Sequence, residues 1–275
     1  MADDGRVTID EGVVFGTGGG RDLRADVFTP PGEMRDAPAV LLVHGGGWRQ
    51  GDRSQLRGYG ILLARRGYVC VASEYRLVGE SAWPAQIHDV KAALRWVRAE
   101  ATSLGIDPAK IAVEGNSEGA HLALFAGATP GWAEYEGHGG NPGRSTDVAA
   151  VVAVYPPTVF RHDESVRGSV PIRALHDEPD AALARSASPL THVTPAFPPT
   201  LLIHGTADTT VPPAASLRMY EALVGAGVPV ELHMYAEQPH AFDASPDFGR
   251  QCAAEMALFL DRYVRRAPAA EPVVA

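Results

Sequence analysis

Cysteine is scarce in this 275-residue chain, which contains only Cys70 and Cys252. Small domains held together by disulfides carry cysteine at a much higher density, so that class of protein is excluded. Each cysteine lies in an apolar or amphipathic stretch, and both are expected to be buried thiols. The fold must therefore depend on a hydrophobic core, for which a composition that is 45% hydrophobic is ample.

Lysine occurs only at Lys91 and Lys110, and the arginines are scattered along a chain whose formal net charge is −9. Without a basic cluster, the sequence offers no surface for the phosphates of nucleic acid or for an anionic membrane. No apolar run approaches the roughly 20 residues of a membrane-spanning helix. The acidic start MADDGR has no apolar signal-peptide region behind it, although a signal peptide already removed would leave no trace. We therefore expect a soluble, cytoplasmic protein with neither nucleic acid nor membrane as a partner.

Apolar runs alternate with helical patterns along most of the chain. Residues 7–15 and 22–28 are β-rich and are joined by GTGGG, which is typical of a hairpin. Continuous apolar runs, typical of strands buried on both faces of a sheet, begin at Pro38, Tyr68, Lys110, Val148, Thr200 and Val228. Apolar residues with helical spacing cover residues 54–66, 84–105, 117–128, 214–226 and 248–265. This order predicts an α/β fold with a mostly parallel central sheet, helices on both faces and an N-terminal β-hairpin.

Two segments rich in glycine, proline and charge interrupt the alternation, at about residues 129–147 and 156–199. Neither has enough apolar residues for a core of its own, so both are expected to be excursions above the sheet. The last residues, 267–275, have the composition of a flexible tail. We therefore expect a single domain over residues 1–275.

The stretch VEGNSEGAHL places Ser117 between Gly115 and Gly119, where a predicted strand meets a predicted helix. Small residues on both sides allow a sharp turn, so that the serine side chain projects at the edge of the sheet. A serine between glycines also occurs by chance in ordinary turns. Ser117 is therefore a candidate nucleophile only if the chain supplies a base, an acid and an oxyanion site.

A histidine and an aspartate follow predicted strands at the same edge of the sheet. His240, in AEQPHAF, comes just after one strand, and Asp208, in HGTADTTVP, comes just after another. Other histidines fit less well, because His233 and His88 lie inside a predicted strand and helix, and His121 lies on the helix of the serine itself. The order Ser, Asp, His is the one that α/β-hydrolases use. Asp208 also fits an ordinary turn residue before the next helix.

The segment HGGGW, residues 44–48, ends another buried strand at this edge. Three consecutive glycines leave backbone N–H groups unobstructed, so the segment can supply an oxyanion hole. A nucleotide site was the alternative for such glycines. Neither GTGGG nor HGGGWRQG fits GxGxxG or a Walker loop, so phosphate binding is disfavoured.

These segments together resemble the α/β-hydrolase carboxylesterases with an HGGGW oxyanion motif, the group near hormone-sensitive lipase and the small bacterial acetylxylan and feruloyl esterases. HGGGWRQGD, YRLVGESAWPAQIHDVKAALRWVR, IDPAKIAVEGNSEGAHLAL and HGTADTTVP occur in that group's order, and the likeness covers most of residues 38–265. The resemblance implies the α/β-hydrolase fold and a serine esterase, and we expect no cofactor and no metal. It assigns a nucleophile, an acid, a base and three oxyanion N–H donors, which are Ser117, Asp208, His240, Gly46, Gly47 and Glu118.

Glu118 departs from the pattern, because the family commonly has alanine after its serine. The backbone N–H of Glu118 can still donate to an oxyanion, and a carboxylate suits the first turn of a helix. A side chain turned toward the hole would oppose a developing negative charge. We therefore expect Glu118 either to point away from the reacting carbonyl or to contact a polar group of the substrate.

Aromatic residues next to the motifs are candidates for a substrate pocket, namely Trp48, Trp83, Phe160 and Phe242. Each could equally be a core residue, which aromatics near a sheet edge usually are. The chain has no long helical cap at its amino end. This favours a shallow pocket and short acyl groups.

The motifs leave several functions open. The same triad serves amidases such as arylformamidases, and a hydrolase fold can also serve as a non-catalytic receptor or scaffold. A peptidase of the prolyl oligopeptidase type is not expected, because these 275 residues leave no room for a propeller domain. The expected partner is a small-molecule ester, which could be a simple short-chain or aromatic ester, an acetylated or feruloylated sugar, or a secondary-metabolite ester. Whether the chain forms a homo-oligomer is open.

Overall fold

The computed structural model describes residues 5–161, 170–176 and 180–266. The predicted tail at 267–275 lies outside these residues, as do parts of the predicted excursion at 156–199. No helix in the described part of the chain is both long and apolar enough to span a bilayer.

The centre of the fold is an eight-stranded sheet with the order β1-β2-β4-β3-β5-β6-β9-β10. The β1 and β2 strands form an antiparallel hairpin, and β2 is antiparallel to β4, while the remaining neighbours are parallel. Its strands are β1 (Thr8–Gly18), β2 (Arg21–Thr29), β3 (Ala37–Val43), β4 (Val69–Ser73), β5 (Ile106–Asn116), β6 (Ala150–Val154), β9 (Thr200–Gly205) and β10 (Val230–Tyr235). Two short strands, β7 (Phe160–Arg161) and β8 (Val170–Pro171), pair outside it.

Helices cover both faces of the sheet, which confirms the predicted architecture. The helices are α1 (Arg57–Ala64), α2 (Ala85–Ala99), α3 (Ala101–Leu104), α4 (Glu118–Ala128), α5 (Ala133–Glu136), α6 (Ala181–Ser186), α7 (Ala214–Gly225) and α8 (Pro246–Leu260). Side chains of β3 alternate between two hydrophobic clusters: Leu41 packs on the side of α2, α4 and α7, and Leu42 on the side of α1 and α8. Burial on both faces explains the continuous apolar runs of β3, β4, β6 and β9. The run at Val228 was predicted to be buried in the same way, but β10 is an edge strand whose side chains are mostly half-buried.

Three element boundaries differ from the sequence prediction. The hairpin turn consists only of Gly19 and Gly20, both at positive φ, because GTG continues β1 and pairs with β2. The helix predicted over 84–105 is interrupted at Glu100, where α2 ends and α3 follows. The last helix begins at Pro246 rather than near 248, since proline suits the first turn, and it ends in a π-helical turn, Asp261–Arg265.

The cysteines are free and buried, as the sequence predicts. Cys70 lies in β4 and Cys252 in α8, on the same side of the sheet. Burial raises the pKa of the Cys252 thiol to about 12, so that the thiol is uncharged and packs as an apolar group.

Candidate active site

Ser117 lies in a sharp turn between the end of β5 and the start of α4. Its backbone has φ 54° and ψ −116°, a combination that non-glycine residues rarely adopt. Close packing holds this turn, because a Cβ on Gly119 would lie 1.9 Å from the Val43 carbonyl oxygen. The Ser117 N–H donates to the Val154 carbonyl at 2.8 Å, which fixes the turn to β6. The turn directs the serine out of the sheet.

The structure brings Ser117, His240 and Asp208 into one hydrogen-bonded chain. Ser117 Oγ is 2.9 Å from His240 Nε2, and His240 Nδ1 is 2.6 Å from Asp208 Oδ2. Because a carboxylate can only accept, Nδ1 carries the proton and Nε2 accepts from the serine hydroxyl. This is the arrangement in which a histidine can remove the proton of a serine.

Asp208 follows β9 and is held from several sides. Its Oδ1 accepts from the N–H groups of Thr210 and Val211, both at 2.9 Å, and His204 Nε2 lies 3.3 Å from Oδ2. Burial alone would raise the pKa of Asp208, but the hydrogen bonds from His204, His240 and Val211 outweigh it and lower the pKa well below its usual value. Asp208 is therefore ionised throughout the physiological range.

The HGGGW segment forms a rigid loop after β3. The rings of His44 and Tyr75 stack with centroids 4.3 Å apart, and the Tyr75 hydroxyl donates to the His44 carbonyl at 3.0 Å. Gly46 has φ 119°, and a Cβ there would lie 2.1 Å from the Gln50 carbonyl oxygen, so only glycine fits. The loop therefore presents its N–H groups in one fixed arrangement beside Ser117.

The Glu118 carboxylate occupies one of these N–H groups. Gly46 N donates to Glu118 Oε2 at 2.9 Å, and the Glu118 residue is 8% exposed. Of the two alternatives expected for Glu118, the first, that its side chain points away from the oxyanion site, is therefore wrong, and the second, contact with a polar substrate group, stays a prediction. Gly46, expected to be a free oxyanion donor, is already bonded. No acceptor within the described ranges takes the N–H groups of Gly47 or of Glu118 itself.

A cavity of about 980 Å³ opens beside Ser117. Its walls come from the HGGGW loop, from α1, from the segment after His240 and from the start of α8. It lies on the α1 and α8 side of the sheet, and the shallow pocket for short acyl groups that the sequence favours stays a prediction. Such a volume lies within the range of small-molecule sites.

None of the four aromatic residues predicted to bind substrate lines this cavity. Trp48, Trp83 and Phe160 surround the buried ring of His121 on the other side of the sheet, with centroids 5.0–5.5 Å from it. Phe242 packs on Tyr235 at 4.8 Å. All four are core residues. They are displaced from the cavity because the side chains of this region pack inward against α4 and α8.

A second carboxylate beside the triad was missed in the sequence. Asp243 accepts from the hydroxyls of Tyr59 at 2.6 Å and Tyr155 at 2.5 Å, and from Asn116 Nδ2 at 2.6 Å. The Tyr155 ring lies 4.5 Å from the ring of His240. Asp243 therefore joins the loop of His240 to the residue before the nucleophile. The feature of the sequence that could have indicated a role for Asp243 is its position three residues after His240.

Glu114, in β5, is fully buried under this network, and neither carboxyl oxygen has a hydrogen-bond partner. Burial first, and then the charge of Asp243, raises the pKa of Glu114 well above its usual value. The folded protein therefore keeps a proton that an unfolded glutamate has lost above about pH 4.3. Between about pH 4.3 and the raised pKa of folded Glu114, each unit of pH therefore lowers the free energy of unfolding by about 1.4 kcal/mol.

Replacing Glu114 with glutamine is therefore expected to make the protein relatively more stable as the pH rises. Glutamine keeps the shape but does not titrate. The melting temperature of E114Q minus that of the wild type should therefore increase from pH 5 to pH 8. Thermal unfolding followed by circular dichroism measures this difference. The matched exposed variant Glu221→Gln should show no such trend, and an E114Q curve parallel to the wild type would contradict the assignment.

No group of three or more His, Cys, Asp or Glu side chains in residues 5–161, 170–176 and 180–266 is arranged to hold a metal ion. The potential ligands nearest to Ser117 are instead used in hydrogen bonds to one another, as in the pair of His240 and Asp208. The site therefore offers acid–base and nucleophilic groups.

Comparison with known proteins identifies the family of this chain. A family model described as BD-FAE matches residues 25–223. The chain is 35% identical over 268 residues to Esterase LipC of Mycobacterium tuberculosis, covering 91% of this chain and 64% of LipC. It spans between 54% and 64% of the length of the curated mycobacterial relatives LipC, LipM and LipQ.

Two solved structures are similar over almost their whole length. Esterase Est2 of the planctomycete Thermogutta terrifontis has a TM-score of 0.80 and 27% identity, covering 98% of this chain and 96% of that chain. A truncated carbohydrate esterase from gut microbiota also has a TM-score of 0.80, with 25% identity, covering 95% of this chain and 99% of that chain. The chain therefore belongs to the BD-FAE family and has the fold of the α/β-hydrolase esterases.

Proposed function

We propose that the protein is a serine carboxylic-ester hydrolase that works through an acyl-enzyme. The observation that carries this proposal is the continuous hydrogen-bonded chain from Ser117 through His240 to Asp208, which opens into a cavity beside an oxyanion loop. A receptor or scaffold has no need of such a chain. The names of the relatives, which are esterases, support the same reaction.

In the first half of the reaction, His240 Nε2 takes the proton of Ser117 as the serine oxygen attacks the ester carbonyl. Asp208 stabilises the imidazolium that forms. The N–H groups of Gly47 and Glu118 bind the tetrahedral oxyanion, and the N–H of Gly46 adds a third donor only after it leaves the Glu118 carboxylate. His240 then gives its proton to the departing alcohol.

In the second half, water attacks the acyl-enzyme. His240 takes a proton from the water, the oxyanion forms again at the same N–H groups, and Ser117 leaves with the proton that His240 returns. One acid and one alcohol are released per turnover. The kinetics are therefore ping-pong.

The substrates we propose are short-chain, acetyl or small aromatic esters. The cavity has room for a small ring beside a short acyl chain. The Thermogutta esterase has been solved with butyrate bound, which supports a short acyl group. Arylformamides remain the amide alternative, and including one beside the esters in an activity panel separates the two leaving groups.

Labelling with an organophosphate tests the nucleophile. The Thermogutta esterase has been solved phosphorylated by paraoxon. We expect paraoxon to add one diethylphosphoryl group to this protein, located on Ser117 by peptide mass spectrometry, and to abolish ester hydrolysis in proportion to labelling. Ser117→Ala should take up no label. Labelling at another residue, or full activity after labelling, would contradict the proposal.

A further inference from the structure

The carboxylate of Glu118 belongs to the first turn of α4, directly after the nucleophile Ser117. One oxygen, Oε2, accepts from the Gly46 N–H at 2.9 Å. For the other oxygen, Oε1, no hydrogen-bond donor is found in residues 5–161, 170–176 and 180–266, and Glu118 lines the cavity. No lysine, arginine or histidine in these ranges forms an ion pair with it. Oε1 of Glu118 therefore has no hydrogen-bond or ion-pair partner among the described residues.

The groups around the carboxylate do not neutralise it. His44 and Tyr75 stack beside the HGGGW loop, where burial lowers the pKa of His44 and raises that of Tyr75, so both rings are uncharged. The two arginines that line the same cavity, Arg65 and Arg250, come from the end of α1 and from α8, and Arg250 is paired with Asp247. Within the described part of the chain, the Gly46 N–H is thus the one donor to the Glu118 carboxylate beside Ser117.

This placement of Glu118 weakens the stabilisation of the oxyanion formed from an ester that has no hydrogen-bond donor of its own. The carboxylate holds a donor that would otherwise stabilise the oxyanion, and its charge opposes the charge that develops there. A substrate that brings its own hydrogen-bond donor to the carboxylate removes both effects, because it satisfies the charge and can release the Gly46 N–H. The gain is therefore largest in the transition state, where the freed donor acts.

We propose that Glu118 is a specificity-determining residue, which selects esters that carry a hydroxyl or ammonium group close to the ester carbonyl. The inference rests on the proposed esterase function and names the substrate class of the same site. Esters with a carboxylate in that position are disfavoured by like charge. A hydrogen bond to a charged group is expected to change the ratio of kcat/KM between two matched esters by about tenfold to a hundredfold.

Two matched series test the proposal. In the acyl series, methyl butyrate is compared with methyl 3-hydroxybutyrate, methyl 3-aminobutyrate and monomethyl succinate. In the alcohol series, propyl butyrate is compared with glyceryl 1-monobutyrate. Acid release by the wild type, Glu118→Ala, Glu118→Gln and the exposed control Glu221→Ala is followed at pH 7 in a pH-stat, and thermal unfolding shows that each variant is folded.

We expect the wild type to prefer a donor-bearing ester over its plain partner by about tenfold or more in kcat/KM in at least one series. E118A should lose this preference and gain rate on methyl butyrate. E118Q, which keeps an acceptor without charge, should keep part of the preference for hydroxyl and lose that for ammonium. Glu221→Ala should match the wild type.

Equal rates for all members of both series, or a preference that E118A retains, would overturn the role of Glu118 while leaving the esterase function intact. Failure of the wild type to hydrolyse any ester, together with no paraoxon label on Ser117, would overturn the proposed function and this inference with it.

Discussion

Ser117→Ala is expected to lower kcat for ester hydrolysis about a millionfold, the scale seen when the nucleophile of a serine triad is removed. The hydroxyl oxygen that His240 holds at 2.9 Å is the protein atom that forms a bond to the acyl carbon in the proposed reaction. Without it, only the oxyanion N–H groups and the cavity remain to accelerate direct attack by water. The measurement is release of p-nitrophenol from p-nitrophenyl butyrate at high enzyme concentration.

The control for Ser117→Ala is a measurement of its affinity for a substrate analogue. Alanine fits the tight turn with the loss of a single oxygen, so substrate affinity and melting temperature should change little. A competitive, non-reactive analogue such as a ketone of similar size reports the affinity. Residual activity within tenfold of the wild type would rule out Ser117 as the nucleophile.

Asp208→Asn is expected to lower kcat about ten-thousandfold, as the same change does in another serine triad. Asparagine keeps the shape but can donate its amide hydrogens to His240 Nδ1, which places the ring proton on Nε2, facing the serine. That tautomer cannot accept the proton of Ser117. The loss of the negative charge also leaves the imidazolium without the partner now 2.6 Å away.

The pH dependence of D208N separates this explanation from simple unfolding. The wild-type carboxyl stays ionised because its hydrogen bonds lower the pKa, so the effect of the substitution should be present across the neutral range. Stopped assays of p-nitrophenyl butyrate hydrolysis from pH 6 to 9, with thermal unfolding at each pH, measure it. A folded D208N enzyme that retains a tenth of wild-type kcat would contradict the assigned role.

The sequence predicted the part of the site that depends on strand ends. Parallel strands bring their carboxyl ends to one edge of the sheet, so residues just after β5, β9 and β10 had to lie near one another. Ser117, Asp208 and His240 each occupy such a position, and their distances follow from the topology. Buried apolar runs marked β5 and β9 clearly, and their alternation with helical patterns is why a mostly parallel sheet was predictable.

The orientation of individual side chains was not predictable in this way. Glu118 bonds to a glycine 72 positions earlier in the chain, and whether its side chain turns toward that glycine depends on packing between two loops. Trp48 follows three glycines, of which Gly46 and Gly47 have positive φ and turn the chain, and it is buried on the side away from the cavity. Local pattern gives no information on which side of the sheet such a residue faces.

The hydrogen bonds of Asp243 were unpredictable for a related reason. Its partners come from α1, from the end of β5 and from the residue after β6, which are far apart in the chain. In the sequence, Glu114 is one polar residue in an apolar strand, and the burial and the Asp243 charge that raise its pKa arise only in the folded chain.

The close packing of the turn at Ser117 separates two kinds of evolutionary change. A Cβ at Gly115 would lie 2.3 Å from the backbone of Gly119, and one at Gly119 would lie 1.9 Å from Val43, so both glycines serve the backbone alone. A descendant of this protein could lose its reaction by changing residue 117 and still need both glycines to fold. In related sequences, the two glycines therefore report inheritance of the architecture, and the residue between them reports whether the chemistry was inherited too.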